Sequence, residues 1–179
     1  MTHRWPLVGA TAALVACAQG QSSSPDAMAD APADAAVDAP RADARPGGPN
    51  DTCAGAEDLT AAAHQPGGAM VSADLTGYLN DVQPPMACTG FVNDGPDATY
   101  QVTMAAGETL TATLSPQGWD AALEIVQPCV LNPICLGGSD GANPEVASYT
   151  ATAPITVYVV VDSWSDTAFG PYQLHVQVD

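Results

Sequence analysis

Oxygen-bearing side chains gather in the second half of this 179-residue chain. Asn93, Asp94 and Asp97 stand close together, Asp120 follows alone, and Asp140, Asn143 and Glu145 form a further group ahead of Asp162 and Asp166. A hard cation such as Ca²⁺ takes six to eight oxygens from carboxylates, amides and carbonyls on flexible backbone. Asp94, Asp97, Asp120, Asp140 and Glu145 are therefore candidate calcium ligands, all in expected loops or at strand ends. No D-x-D-x-D-G loop groups them, and turn Asp and Asn also bond their own backbone.

Catalysis finds less to work with. Beyond the leader only His64 and His175 occur, and no G-x-S-x-G, H-E-x-x-H or phosphate-cradling glycine loop is present. The nearest carboxylate pair within one expected strand, Asp120 and Glu124, would be about 13 Å apart, too far for paired acid–base work. No lysine occurs in the chain, and the only arginines are Arg4, Arg41 and Arg45. A developing anion would thus find no cationic side chain, and the expectation is a non-catalytic protein. Trp119, Trp164 and Phe169 sit in expected loops, where aromatics stack on sugars or anchor a protein partner. The same residues can instead fold inward and cap a core.

From Asn50 onward the chain holds fifteen carboxylates and no Lys or Arg. A nucleic-acid partner must have its phosphates neutralised, so that class is excluded. An anionic lipid surface repels such a domain, and any membrane attachment must be covalent or apolar.

The N-terminus offers such an attachment. Met1-Thr-His-Arg-Trp-Pro6 carries one arginine, and Leu7–Ala16 is an apolar run about half as long as a membrane span needs. The run ends in Leu14-Val15-Ala16-Cys17, which resembles the bacterial lipobox; Ala16-Cys17-Ala18 also reads as an ordinary secretory cleavage site. The lipobox resemblance implies cleavage after residue 16, a lipidated Cys17, and outer-membrane sorting because Ala18 rather than Asp follows. Residues 17–49 are Ala, Asp, Pro, Ser and Gly, with aspartates at 26, 30, 34 and 38. Like charges at i, i+4 and repeated prolines oppose a helix, and the segment buries too little surface to order itself. It is expected to act as an anionic tether of about 30 Å r.m.s. reach.

Residues 50–179 must then supply the folded domain. Candidate strands are Ala69–Leu79, Ala98–Met104, Glu108–Ser115, Ala121–Gln127, Val146–Thr152, Ile155–Asp162 and Tyr172–Val178. Several alternate with period two, and Val157–Val161 is apolar on both faces, as in a strand at a sheet centre. Ala105-Ala106-Gly107, Pro116-Gln117-Gly118, Leu136-Gly137-Gly138 and Gly170-Pro171 read as turns, and Ala54–Ala63 as a short helix or turn. Short strands at this spacing imply an antiparallel, jelly-roll-like β-sandwich of seven to eight strands. With Cys17 assigned to lipid, Cys53, Cys88, Cys129 and Cys135 remain. In an exported chain these make two disulfides, with three pairings open.

Six motifs in order carry a family resemblance: Asn93-Asp-Gly-Pro-Asp97-Ala-Thr-Tyr100, Met104-Ala-Ala-Gly-Glu-Thr-Leu110, Asp120-Ala-Ala-Leu-Glu-Ile125, Asn143-Pro-Glu-Val146, Val157-Tyr-Val-Val-Val-Asp162 and Gly170-Pro-Tyr-Gln-Leu174. The series resembles the bacterial pre-peptidase C-terminal domain family, in its lipoprotein versions, across residues 50–179. Ala153-Pro154-Ile155-Thr156 departs from it in lacking a glycine before the long central strand. The resemblance implies a small non-enzymatic β-sandwich, calcium binding in some members, and collagen or polysaccharide binding in others. It also supports the pairing Cys53–Cys88 and Cys129–Cys135, the second bridge stapling a strand-to-strand return through Pro133. The functional expectation is an envelope lipoprotein presenting a module that binds an unknown protein or polysaccharide. The alternatives are a purely structural envelope lipoprotein or an accessory domain of a secreted peptidase system.

Overall fold

The computed structural model describes residues 47–179; the leader, Cys17 and most of the tether lie outside the described residues. Two sheets pack face to face. The first contains β1 (Glu57–Asp58), β3 (Asp97–Met104), β8 (Ile155–Ser163), β5 (Ala121–Gln127) and β6 (Ile134–Asp140), in that spatial order. The second contains β2 (Ala69–Asp74), β9 (Pro171–Val178), β4 (Thr109–Pro116) and β7 (Glu145–Thr150). Every pairing is antiparallel except that of β1 with β3. The fold is thus the expected all-β sandwich; six of the seven candidate strands form with small shifts at their ends, and the first, expected over Ala69–Leu79, is shortened to Ala69–Asp74.

Alternation decides the core. Tyr100, Val102 and Met104 of β3, Val157, Val159 and Val161 of β8, and Leu123 and Ile125 of β5 point inward. They meet Leu110 and Leu114 of β4 and Tyr172, Leu174 and Val176 of β9, all buried. Each such side chain contributes about 1.5–3 kcal/mol by leaving water. At the centre the Tyr100 and Tyr172 hydroxyls share a 2.6 Å hydrogen bond. This satisfies two polar atoms that the alternation forces inward.

Residues 75–96, between β2 and β3, form a strap without regular structure that crosses the outer face of the first sheet. Val82 of the strap packs there against Val126 and Val160. The covering explains why β5 and β8 are buried on both faces, as the apolar run 157–161 led one to expect. The strand expected to reach Leu79 stops at Asp74. There Asp74 Oδ1 accepts from the N–H and hydroxyl of Thr76, and Gly77 takes φ +87°, which turns the chain into the strap.

Two expectations need correction. Leu136-Gly137-Gly138 is not a turn but the middle of β6, paired with β5; Leu136 bulges out where the register shifts between Ile125 and Val126. Gly138 has its use there, because a Cβ would stand 2.7 Å from the Cys88 carbonyl of the strap. The disulfides are Cys53–Cys129 and Cys88–Cys135, not Cys53–Cys88 and Cys129–Cys135. Cys135 lies opposite Val126 in the ladder, three residues before Cys129, so the two sulfurs of that hairpin do not face each other. Cross-strand partners project to the same face. Cys135 therefore points outward with Val126 and meets Cys88 in the strap, while Cys129, past the strand end, meets Cys53. The entry segment is still tied to the sandwich, but through Cys129.

Candidate functional site

The strap and the loop after β8 together build one end of the domain. Gly95 N–H donates to the Ser163 carbonyl at 2.9 Å, and the Ser163 hydroxyl contacts the Ser165 and Ala168 carbonyls at 2.9 and 2.8 Å. Tyr78 is steadied by a 2.8 Å bond from its hydroxyl to Asn50 Oδ1, and Leu79 by its N–H donating to Asp51 Oδ1. Between the two loops lies a crevice of about 360 Å³, with Tyr78, Leu79, Pro96 and Phe169 on its walls and Asp94 and Asp166 at its edges. Trp164, in the same loop as Phe169, is 53% exposed, and the strap also exposes Met86, Phe91 and Val92. Of the aromatics singled out in the sequence, Phe169 lines the crevice and Trp164 stands out in solvent. Trp119 instead packs against the core, its indole N–H donating to the Pro171 carbonyl at 2.9 Å.

Behind the crevice, under the strap, the outer face of the first sheet carries acids. Asp97 of β3 lies directly opposite Asp162 of β8, and Asp162 opposite Ala122 of β5. Glu124, two residues along β5, projects from the same face. Asp97, Asp162 and Glu124 are each at most 1% exposed. Each has one oxygen held by a donor. Asp97 Oδ2 accepts the Asp81 and Val82 N–H groups at 2.7 and 2.9 Å, Glu124 Oε1 accepts Asn93 Nδ2 at 2.9 Å, and Asp162 Oδ1 accepts the Ser163 N–H at 2.6 Å. The other oxygen of each carboxyl is buried without a hydrogen-bond partner, as are the amide oxygens of Asn80 and Asn93.

Burial dominates the electrostatics. It pushes the Asp97 carboxyl up to about 7, over the opposing effect of its two backbone donors. Glu124 is pushed up to about 8 by burial and by the nearby Asp140 and Asp97 charges, against the Asn93 bond. Asp162 moves the same way, through burial first and then the Glu124 and Asp97 charges. No Lys or Arg occurs after Arg45 to offset them. His64 bonds Thr60 and Glu108, and His175 bonds the Gly67 carbonyl, both on other elements.

The five candidate calcium ligands do not form one site. Asp97 belongs to the buried group. Asp94 is exposed at the crevice edge, and its Oδ1 accepts from the Gln83 amide. Glu145 is buried, but its oxygens already take the Ser139 hydroxyl and the Gly141 and Ala142 N–H groups, so it closes the β6–β7 hairpin. Asp140 and the exposed Asp120 lie on that side; burial and the charges of Asp120 and Glu145 raise Asp140 to about 6. Glu124 and Asp162 were not among the candidates. The signal for Glu124 was a lone acid inside Ala-Ala-Leu-Glu-Ile-Val, a run otherwise apolar on both faces. The buried group offers oxygen donors only, three of them carboxylic, each with one oxygen already held by a donor. Among the described residues no three acidic, histidine or cysteine side chains are drawn together at coordination distance.

No family model matches the chain, and no curated protein matches it. Among solved structures it is similar to the pre-peptidase C-terminal domain of a collagenase from Bacillus anthracis. That likeness has a TM-score of 0.45 and 13% identity, and covers 68% of this chain and 94% of that one. It is also similar to the periplasmic inhibitors of g-type lysozyme from Aeromonas hydrophila and Salmonella Typhimurium. Their TM-scores are 0.42 and 0.39, each at 15% identity, covering 69% of this chain and 98% and 99% of those chains. The first is a domain of the family that the sequence motifs resemble.

Proposed function

We propose that this chain is a non-catalytic, outer-membrane lipoprotein that holds a β-sandwich binding module away from the bilayer on an anionic tether. Its ligand is an extracellular or envelope polymer, protein or polysaccharide. The observation that carries the reading is the crevice between the strap and the loop after β8, with Phe169 inside it and Trp164 exposed beside it. Apolar walls with a few polar groups at the rim are the usual make-up of a binding cleft. Exposed aromatics beside such a cleft serve as anchors. A merely structural envelope protein has no need to expose Trp164 in the loop whose Phe169 lines a crevice.

The test has two arms. Co-sedimentation of the mature protein with insoluble polysaccharides and with collagen should deplete it from solution, and Trp164→Ala and Phe169→Ala should weaken that depletion at least tenfold. Equal retention of both variants on every polymer that binds the wild type would refute the role of the crevice. Metabolic labelling with a fatty-acid probe should mark the wild type and not Cys17→Ser; labelling of both, or of neither, would refute the anchor.

A further inference from the structure

We propose that the crevice between the strap and the loop after β8 receives a basic side chain, arginine above all, from an exposed segment of a partner protein. The proposal rests on the reading of this crevice as the binding cleft and names what the cleft selects.

The polar make-up of the crevice is one-sided. Asp94 of the strap and Asp166 of the loop after β8 stand at its edges, both exposed to solvent. Asn80 also lines it, and the Asn80 side-chain oxygen is buried without a hydrogen-bond partner, where such atoms are nearly always satisfied. Donors on the walls are meanwhile spent. The Tyr78 N–H goes to the Leu75 carbonyl and its hydroxyl to Asn50, the Leu79 N–H goes to Asp51, and the Gly95 N–H goes to the Ser163 carbonyl. Among the lining side chains only the Asn80 amide is left to donate. A ligand that completes this crevice must bring N–H donors and positive charge. An anion meets two carboxylates, and a neutral sugar, whose hydroxyls accept as well as donate, finds few donors to meet it.

The apolar walls narrow the choice. With its hydroxyl committed to Asn50, Tyr78 offers the crevice its ring, beside the ring of Phe169 and the side chain of Leu79. A guanidinium is planar, weakly hydrated and stacks on aromatic faces, and its methylene stem suits an apolar wall. An ammonium is a compact, strongly hydrated charge and gains less there. Two further features favour a protein segment over a free cation. Trp164 is 53% exposed in the loop that carries Asp166 and Phe169, so a chain running past the crevice has an aromatic contact beyond it. Fifteen carboxylates and no Lys or Arg from Asn50 onward give the domain a field that draws a basic partner in from a distance.

NMR titration of the nitrogen-15-labelled mature protein with the capped peptide Ac-Leu-Arg-Leu-NH₂, to millimolar concentration, tests this. The comparison probes are the same peptide with citrulline for arginine, which keeps the shape without the charge, and cellohexaose as a neutral saccharide. The arginine peptide should shift the Leu79, Gly95 and Phe169 amides saturably, and at least fivefold more tightly than the citrulline peptide. Asp94→Asn together with Asp166→Asn should weaken it at least tenfold. Glu108→Gln together with Asp179→Asn removes the same charge at the far end of the sandwich, where the Thr109 N–H bonds the Asp179 carbonyl, and should change the affinity less than twofold. Equal affinity for the two peptides would overturn the proposal, and so would equal weakening in the two double variants, which would mean attraction to net charge alone. Where a double variant does not fold, the two peptides on the wild type decide. Cellohexaose moving these amides where the arginine peptide does not would overturn the basic partner and uphold the crevice as a binding cleft. Silence of these amides towards every probe would overturn the proposal too, and the crevice would then stand or fall with the co-sedimentation of Trp164→Ala and Phe169→Ala.

Discussion

Removing the Cys88–Cys135 bridge by Cys88→Ala together with Cys135→Ala should cost the domain about 4 kcal/mol, most of it through the unfolded chain. The bridged residues are 47 apart in sequence, and a cross-link restricts the denatured ensemble in proportion to the logarithm of the loop it closes. The surviving Cys53–Cys129 bridge offers the unfolded chain a route of about 41 residues between the same points, which changes the logarithm, and the figure, very little. Against a total stability of about 5–15 kcal/mol, this loss is large. With a urea slope of about 2 kcal/mol/M, the midpoint should fall by roughly 2 M. The same variant should lose exchange protection along residues 75–96 before the rest, because Cys88 is the covalent pin of the strap. Equilibrium urea unfolding by circular dichroism reads the first effect and amide exchange the second. A bridge between Cys129 and Cys135 would close so short a loop that its loss costs only about 2–2.5 kcal/mol, with the strap unaffected. An unchanged midpoint, or a non-reducing digest yielding Cys129 linked to Cys135, would refute the argument and the strand register under it.

The buried acids predict a pH dependence of stability. Asp97 holds its proton to about 7, whereas an unfolded aspartate releases it near pH ~4. Stability is therefore full below about pH 4 and is lost as pH rises towards 7, by about 4 kcal/mol for this group. Glu124, at about 8, extends the loss upward, and Asp162 adds to it in the same direction. The charges facing these groups are Asp81 and Asp51 at Asp97, Asp140 at Glu124, and Asp94 at Asp162. His64, raised by the Thr60 carbonyl and Glu108, acts in the same direction from the surface, so a His64→Gln background isolates the acids. Urea midpoints that stay level or rise between pH 5 and 8 would contradict this. At the core, Tyr172→Phe and Tyr100→Phe should each cost about 1–3 kcal/mol by stranding the other hydroxyl, and the double variant less than their sum; strict additivity in thermal melts would show that the hydroxyls do not act as a pair.

Sequence alone determined the class of this domain, because period-two alternation and turn residues are local properties. Tyr100-x-Val102-x-Met104 and Val157–Val161 announce an inward face and a central strand wherever the sheet closes. It also showed that no cationic side chain follows Arg45 to serve as phosphate ligand or oxyanion donor. Tertiary structure alone decided which cysteines meet, since the face on which Cys135 emerges depends on its register with β5 and on the bulge at Leu136. It alone decided that Asp97, Glu124 and Asp162 come together, for they lie on three strands whose order, β3-β8-β5, no local pattern encodes. Burial made the difference between Glu124 and an ordinary surface acid. It comes from the strap, a long irregular segment that crosses the sheet because Cys88, Val82 and the Asp97 carboxyl hold it there. Contacts so distant in sequence have no local signature, and only the folded chain brings these groups within reach of one another.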